Sequence, residues 1–125
     1  MYNNRTAVAK NDEAMSGLPT PSGYKILIAI PKLEAKTRGG IIRPDAFKKA
    51  EEVASIIGYV VDLGPEAYAN KDRFPSGPWC KEKDFVIFRS YSGTRFTYMD
   101  EEYRFINDDT VEGVIADPRQ FGRAS

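Results

Sequence analysis

The sequence predicts a mostly β fold, a small barrel or sandwich of short antiparallel strands. Three observations lead there. Four or more short runs are rich in β-branched and aromatic residues. Clusters of Gly, Asn and Asp separate them at short intervals. The chain has 125 residues, which bounds it to one domain around one hydrophobic core.

Residues 1–22 mix Asn, Asp, Lys, Ser, Gly and Pro, and their apolar positions follow no period. They are expected to form a disordered N-terminal tail ahead of a domain over 23–117. A contact with a neighbouring subunit or partner is the functional rival for that tail. Tyr24–Ile30 reads as the first strand, ended by Pro31. It is apolar on both faces from Ile26 to Ile30, so both faces should be covered.

The next region is ambiguous. Glu34 to Gly40 is polar and closes on Gly39-Gly40, after which come Ile41-Ile42 and Arg43-Pro44. Asp45 could cap a helix through Phe47, Ala50, Val53, Ala54 and Ile57, positions at helical spacing. Ser55–Gly64 reads as a second strand, stopped by Gly64-Pro65. The stretch over 65–83 holds Pro65, Pro75 and Pro78 and is too long for a hairpin turn, a length that often carries function. Phe85–Phe88 is the third strand. Ser92-Gly93 turns the chain into Arg95–Tyr98, and Met99–Glu102 turns it again into Tyr103–Ile106. Asn107-Asp108-Asp109 is a further turn, Val111–Ile115 the last strand, and 118–125 a C-terminal tail.

Composition excludes several classes of function. Lys plus Arg equals Asp plus Glu at 18 each, so no net charge draws the chain to nucleic acid or to an anionic membrane. Histidine is absent, which removes the commonest general acid–base group and metal ligand. The single cysteine, Cys80, cannot form an internal disulfide, a metal cluster or a Cys/His dyad. It is expected to pack on Trp79 in the 65–83 loop. No run reaches the roughly 18 apolar residues of a membrane span, and the polar N-terminus lacks a signal-peptide core. The expectation is a soluble cytoplasmic protein with no catalytic, cofactor or metal site.

Two constellations invite more. Asp100-Glu101-Glu102 and Asp108-Asp109 are carboxylate groups, expected to be solvated turn residues. The aromatic positions Phe85, Phe88, Phe96, Tyr98, Tyr103 and Phe105, with Arg89, Arg95 and Arg104 among them, could stack nucleic-acid bases. Inward packing into the core is the preferred reading for the aromatics.

From Tyr24 to about Ala116 the order of these features resembles the GroES-type co-chaperonin family. The residues that carry it are the strand Tyr24–Ile30, then Gly39-Gly40-Ile41-Ile42, and the return strand Gly58–Gly64 with a glycine at each end. The charged entry Lys83-Asp84 into Phe85–Phe88 follows. The acidic turn Asp100-Glu101-Glu102, Tyr103–Ile106, the turn Asn107-Asp108-Asp109 and Val111–Ile115 complete the order. No single motif decides it; the ordered set does.

The resemblance implies a small irregular GroES-like β-barrel with flexible termini, a long mobile loop at about 34–54 and a roof-like loop at about 65–83. It implies self-association into a ring, a heptamer, whose terminal strands join neighbours head to tail. It implies a GroEL-type chaperonin as partner, which binds and hydrolyses the ATP, so this chain needs no cofactor. Gly39, Gly40, Ile41, Ile42 and Arg43 would form the chaperonin-binding site, with Phe47 as an extra anchor. Arg43 departs from the family, which usually has a third apolar residue there. The long N-terminal segment and divergent core hint at a phage-encoded member acting in its host's cytoplasm. The rivals are a non-catalytic small β-barrel interaction protein, an oligonucleotide-binding barrel and a fragment of a medium-chain dehydrogenase.

Overall fold

The computed structural model describes residues 17–31, 55–121 and 124. Among them the fold is all-β, with no α-helix. Six strands appear in chain order: β1 (Lys25–Ala29), β2 (Ile57–Leu63), β3 (Phe85–Phe88), β4 (Thr94–Tyr98), β5 (Glu101–Asn107) and β6 (Val111–Ile115). Short 3-10 turns cover Asp108–Thr110 and Pro118–Gln120. The strands form one antiparallel sheet in the order β4-β5-β1-β2-β3-β6.

The most apolar strand lies between two others. Ile26, Leu27 and Ile28 are fully buried on β1, which pairs with β2 on one side and β5 on the other. A strand covered on both faces has no polar face to present to water, so an interior position suits it. Burying each of these side chains contributes about 1.5–3 kcal/mol.

The sheet is strongly curled. Arg104 on β5 and Phe88 on β3 are separated by β1 and β2, roughly 14 Å in a flat sheet at the usual strand spacing. The Arg104 guanidinium nevertheless sits 5.0 Å from the centre of the Phe88 ring. Register breaks between Leu27 and Ile28 and between Ile87 and Phe88 help the strands to bend. Gly58 permits close approach at the curve, where a Cβ would lie 2.5 Å from Cδ1 of Ile28.

Two clusters bury the two faces. The inner one joins Ile26, Ile28, Val60, Val86, Phe88, Ile106 and Val111 from the strands to Tyr68, Phe74 and Cys80 from the β2–β3 connection. The outer one joins Leu27, Val61 and Tyr103, with Tyr59, Phe96, Tyr98 and Phe105 packed around them. Leu18 and Pro21, read from sequence with the N-terminal tail, are buried, and Leu18 belongs to the outer cluster.

Several local readings are revised. Met99 and Asp100 alone make the β4–β5 turn, at φ 52° and 67°, the conformation of a two-residue hairpin. Glu101 and Glu102 therefore belong to β5, paired with Tyr98 and Thr97. Ile57, shared between the helix and strand readings, opens β2, while residues 45–54 of that helix lie outside the described residues. Among the six aromatics expected inside, Phe88 is in the inner core. Phe96, Tyr98, Tyr103 and Phe105 pack on the outer face, because β5 turns Arg104 and Ile106 inward.

Candidate functional site: the sheet around the 32–54 segment and the polar lock beneath it

The expected site residues Gly39, Gly40, Ile41, Ile42, Arg43 and Phe47 lie outside the described residues. The sheet that carries them is described on both sides. The segment leaves after β1 and returns before β2, and Ala29 pairs with Tyr59 across that ladder. Neighbouring antiparallel strands can be joined by about two residues. Residues 32–54 are thus far longer than the connection requires, a length that in compact domains usually signals function.

Both ends are tied into the sheet. The Ile30 N–H donates to the Glu102 carbonyl at 2.9 Å, and the Phe88 N–H donates to the Ile56 carbonyl at 2.9 Å. Ile30 and Ser55 are both buried. One exit is thereby fixed to β5 and the other to β3.

Next to this base lies a charged group on the inner face. Arg95 Nε donates to Glu102 Oε2 at 2.7 Å, and Arg104 Nη2 lies 3.9 Å from the same oxygen. Arg95 and Arg104 face each other in the ladder, so Glu102 separates two like charges. Arg104 is 1% exposed, donates from Nη1 to the Ser92 carbonyl at 3.1 Å, and leaves Nε without a partner. Burial, then the like charge of Arg95, push its pKa below the ordinary arginine value, with Glu102 opposing them. The sequence reading treated Arg104 like Arg89 and Arg95. Its parity with Ile106 on one strand was the available signal.

At the opposite end of β1 the β2–β3 connection folds back as a plug. It has no strand between Leu63 and Phe85; it is a series of turns. Gly64 and Glu66 donate their N–H groups to the carbonyls of Lys25 and Gly23, and Asp108 N–H donates to that of Tyr24. Tyr68, Phe74 and Trp79 form an aromatic trio with ring centres 4.9–5.8 Å apart. Cys80 lies 3.5 Å from the Tyr68 hydroxyl, and burial pushes its thiol pKa up.

Asp108 locks this plug. Its Oδ2 accepts from the Tyr68 N–H at 3.0 Å, and its backbone carbonyl accepts from the Tyr68 hydroxyl at 2.8 Å. Burial pushes the Tyr68 pKa far up, with Cys80 and Asp108 adding to it. Asp108 was read as a solvated turn residue; it is 1% exposed. A turn motif alone does not reveal that the plug will close over it.

Among the described residues no cluster of His, Cys, Asp or Glu could hold a metal ion, and no helix is long and apolar enough to cross a membrane. One sheet edge is β6, where Val114 is 48% exposed beside a half-buried Ile115.

The model of the chaperonin 10 Kd subunit family matches residues 19–115, the whole sheet and both connections. This chain belongs to that family. It is 34% identical over 95 residues to the Co-chaperonin GroES of Corynebacterium diphtheriae, an overlap of 76% of this chain and 91% of that protein. Identity to the Co-chaperonin GroES of Corynebacterium jeikeium is 33% over 96 residues, covering 76% and 91%. For the protein of the same name from Rubrobacter xylanophilus it is 28% over 95 residues, covering 76% and 93%. The chaperonin 10 family is non-enzymatic. The matched span begins beside Leu18 and ends with β6.

Proposed function

We propose that this chain is a co-chaperonin lid that binds the apical face of an ATP-driven, GroEL-type chaperonin and encloses its folding chamber. The observation that carries the reading is the family match over residues 19–115, with an over-long β1–β2 connection bearing Gly39-Gly40-Ile41-Ile42. Gly39, Gly40, Ile41, Ile42 and Arg43 make the contact, and Phe47 adds an anchor where Arg43 replaces an apolar residue. Each isoleucine contributes about 1.5–3 kcal/mol on burial before ordering costs. One copy binds weakly; copies held on one heptameric ring bind together with high avidity and still release when the partner changes shape. The β6 edge, with Val114 exposed, supports a ring contact made by the terminal strands. The place of action is the cytoplasm.

The test is co-sedimentation with a double-ring chaperonin, with and without ATP. Nucleotide-dependent binding is expected, and I41S/I42S should abolish it with the ring intact. Capping by the double variant equal to that of the parent would overturn the site assignment. A well-folded monomer that binds no chaperonin would favour a non-catalytic β-barrel interaction protein, whereas a ring that binds none would point to a dedicated partner.

A further inference from the structure

The last pair of the β1–β2 ladder is Ala29 with Tyr59. Beyond it the two arms of the connection are held by different strands. Ile30 gives its N–H to the Glu102 carbonyl on β5, and Ile56 offers its carbonyl to the Phe88 N–H on β3. Arg104 reaches both holding points. Its Nη2 lies 3.9 Å from Glu102 Oε2, and its guanidinium carbon stands 5.0 Å from the centre of the Phe88 ring. Nη1 donates to the Ser92 carbonyl at 3.1 Å, in the turn that links β3 to β4. One buried side chain thus spans the inside of the curl from one exit to the other.

The position is unfavourable for a cation. A guanidinium that is 1% exposed gives up water, faces Arg95 across the ladder and leaves Nε without a partner. A methionine would fill similar space without those penalties. It would lack direction, because only the planar fork meets a carboxylate, a carbonyl and a ring face at set angles together. We propose that Arg104 is a positioning residue for the chaperonin contact, a strut that holds the two exits of the 32–54 segment in one fixed relation. Its effect on binding rests on the lid reading. Arg104 is buried and touches no partner itself, so it acts through Glu102 and Phe88. A segment whose ends are already set loses less freedom on docking, and every copy on a ring gains alike.

The experiment uses the full chain as it assembles, with R104M and R104K. Amide exchange is followed at Ile30 and Phe88, the donors at the two exits. R104M should speed both by roughly tenfold. The Val60 and Gly64 amides, bonded to the Asp84 and Lys25 carbonyls, should keep their rates. The urea midpoint and the assembly should stay close to the parent's, while ATP-dependent affinity for a double-ring chaperonin falls roughly tenfold. R104K keeps the charge without the fork and should fall between the two. Should R104M fail to fold, E102Q removes the anion between the two arginines and should move both readouts the same way. Chaperonin binding by R104M as tight as the parent's, or unchanged exchange at both exits, overturns the proposal. A parent that binds no chaperonin defeats the lid reading instead, and the exchange rates then decide the strut: raised rates retain it and unchanged rates remove it.

Discussion

The two faces of the same curled sheet are buried by different means. The inner face is mostly aliphatic, Ile26, Ile28, Val60, Val86 and Ile106, and is closed by a plug that brings its own aromatics, Tyr68 and Phe74. The outer face is aromatic. Phe96, Tyr103, Ala29, Tyr59 and Phe85 lie in register across five strands, and Leu18 packs over the buried part of that face. Tyr59 and Phe85 contact at 5.1 Å and Phe96 and Tyr103 at 5.7 Å. Inside, small-radius curvature leaves room for branched aliphatic side chains. Outside, broad rings span the diverging strands. Buried polar groups follow the same division: Arg104 and Asp108 both belong to the inner side, where curling and the plug take them out of water.

The largest effect should come from the inner plug. Phe74→Ala removes a ring that is 2% exposed and should cost about 3–5 kcal/mol of stability, read by denaturant unfolding. Arg104 comes next. Arg104→Ala should destabilise by about 2–3 kcal/mol through lost packing, whereas Arg104→Met, of similar length, should change stability by about 1 kcal/mol or less. Equal losses in the two variants would show that the charge, not the volume, is what the inner face requires. Phe96→Ala on the outer face should cost about 1–2 kcal/mol, since that ring is only partly buried. A loss equal to that of Phe74→Ala would break the comparison and make the outer face an equal partner.

The smallest effect is with pH. Burial raises the pKa of Cys80 and Tyr68 inside and of Tyr103 outside above their ordinary values of 9.0 and 10.0. A raised acid favours the folded state while it is neutral. Its contribution is fully present below the unfolded value and is lost as pH rises through the folded one. Stability should therefore fall progressively above about pH 9, read by urea midpoints. In the same preparation Cys80 should resist alkylation at about pH 8 until the protein unfolds.

Much of this fold was legible in the sequence. Phe85–Phe88 and Val111–Ile115 match β3 and β6 residue for residue, because short β-branched and aromatic runs between Gly and Asp turns have few alternatives. β5 was read too short at its start, since Glu101 and Glu102 look like turn residues and only the tight Met99-Asp100 turn assigns them to the strand. The expected chaperonin contact, Gly39 to Arg43, rests on the resemblance, as glycines beside isoleucines occur equally in ordinary cores. The burial of Asp108 was not legible, because the plug that closes over it comes from a distant part of the chain.

The sequence by itself determined that this protein is mostly β, has no histidine chemistry, carries a long stretch between its first two strands and resembles the chaperonin 10 subunits. The first three follow from residue type and period, which local geometry reads directly; the last rests on the order of features along the chain and on the family match. Only the tertiary structure decided which face of each strand became the interior. It placed Arg104 beneath Phe88, Leu18 over the aromatic face and Asp108 under the plug. Alternation marks two faces without saying which is inside when both are apolar; that choice belongs to the curl of the sheet and to the distant segments that close over it.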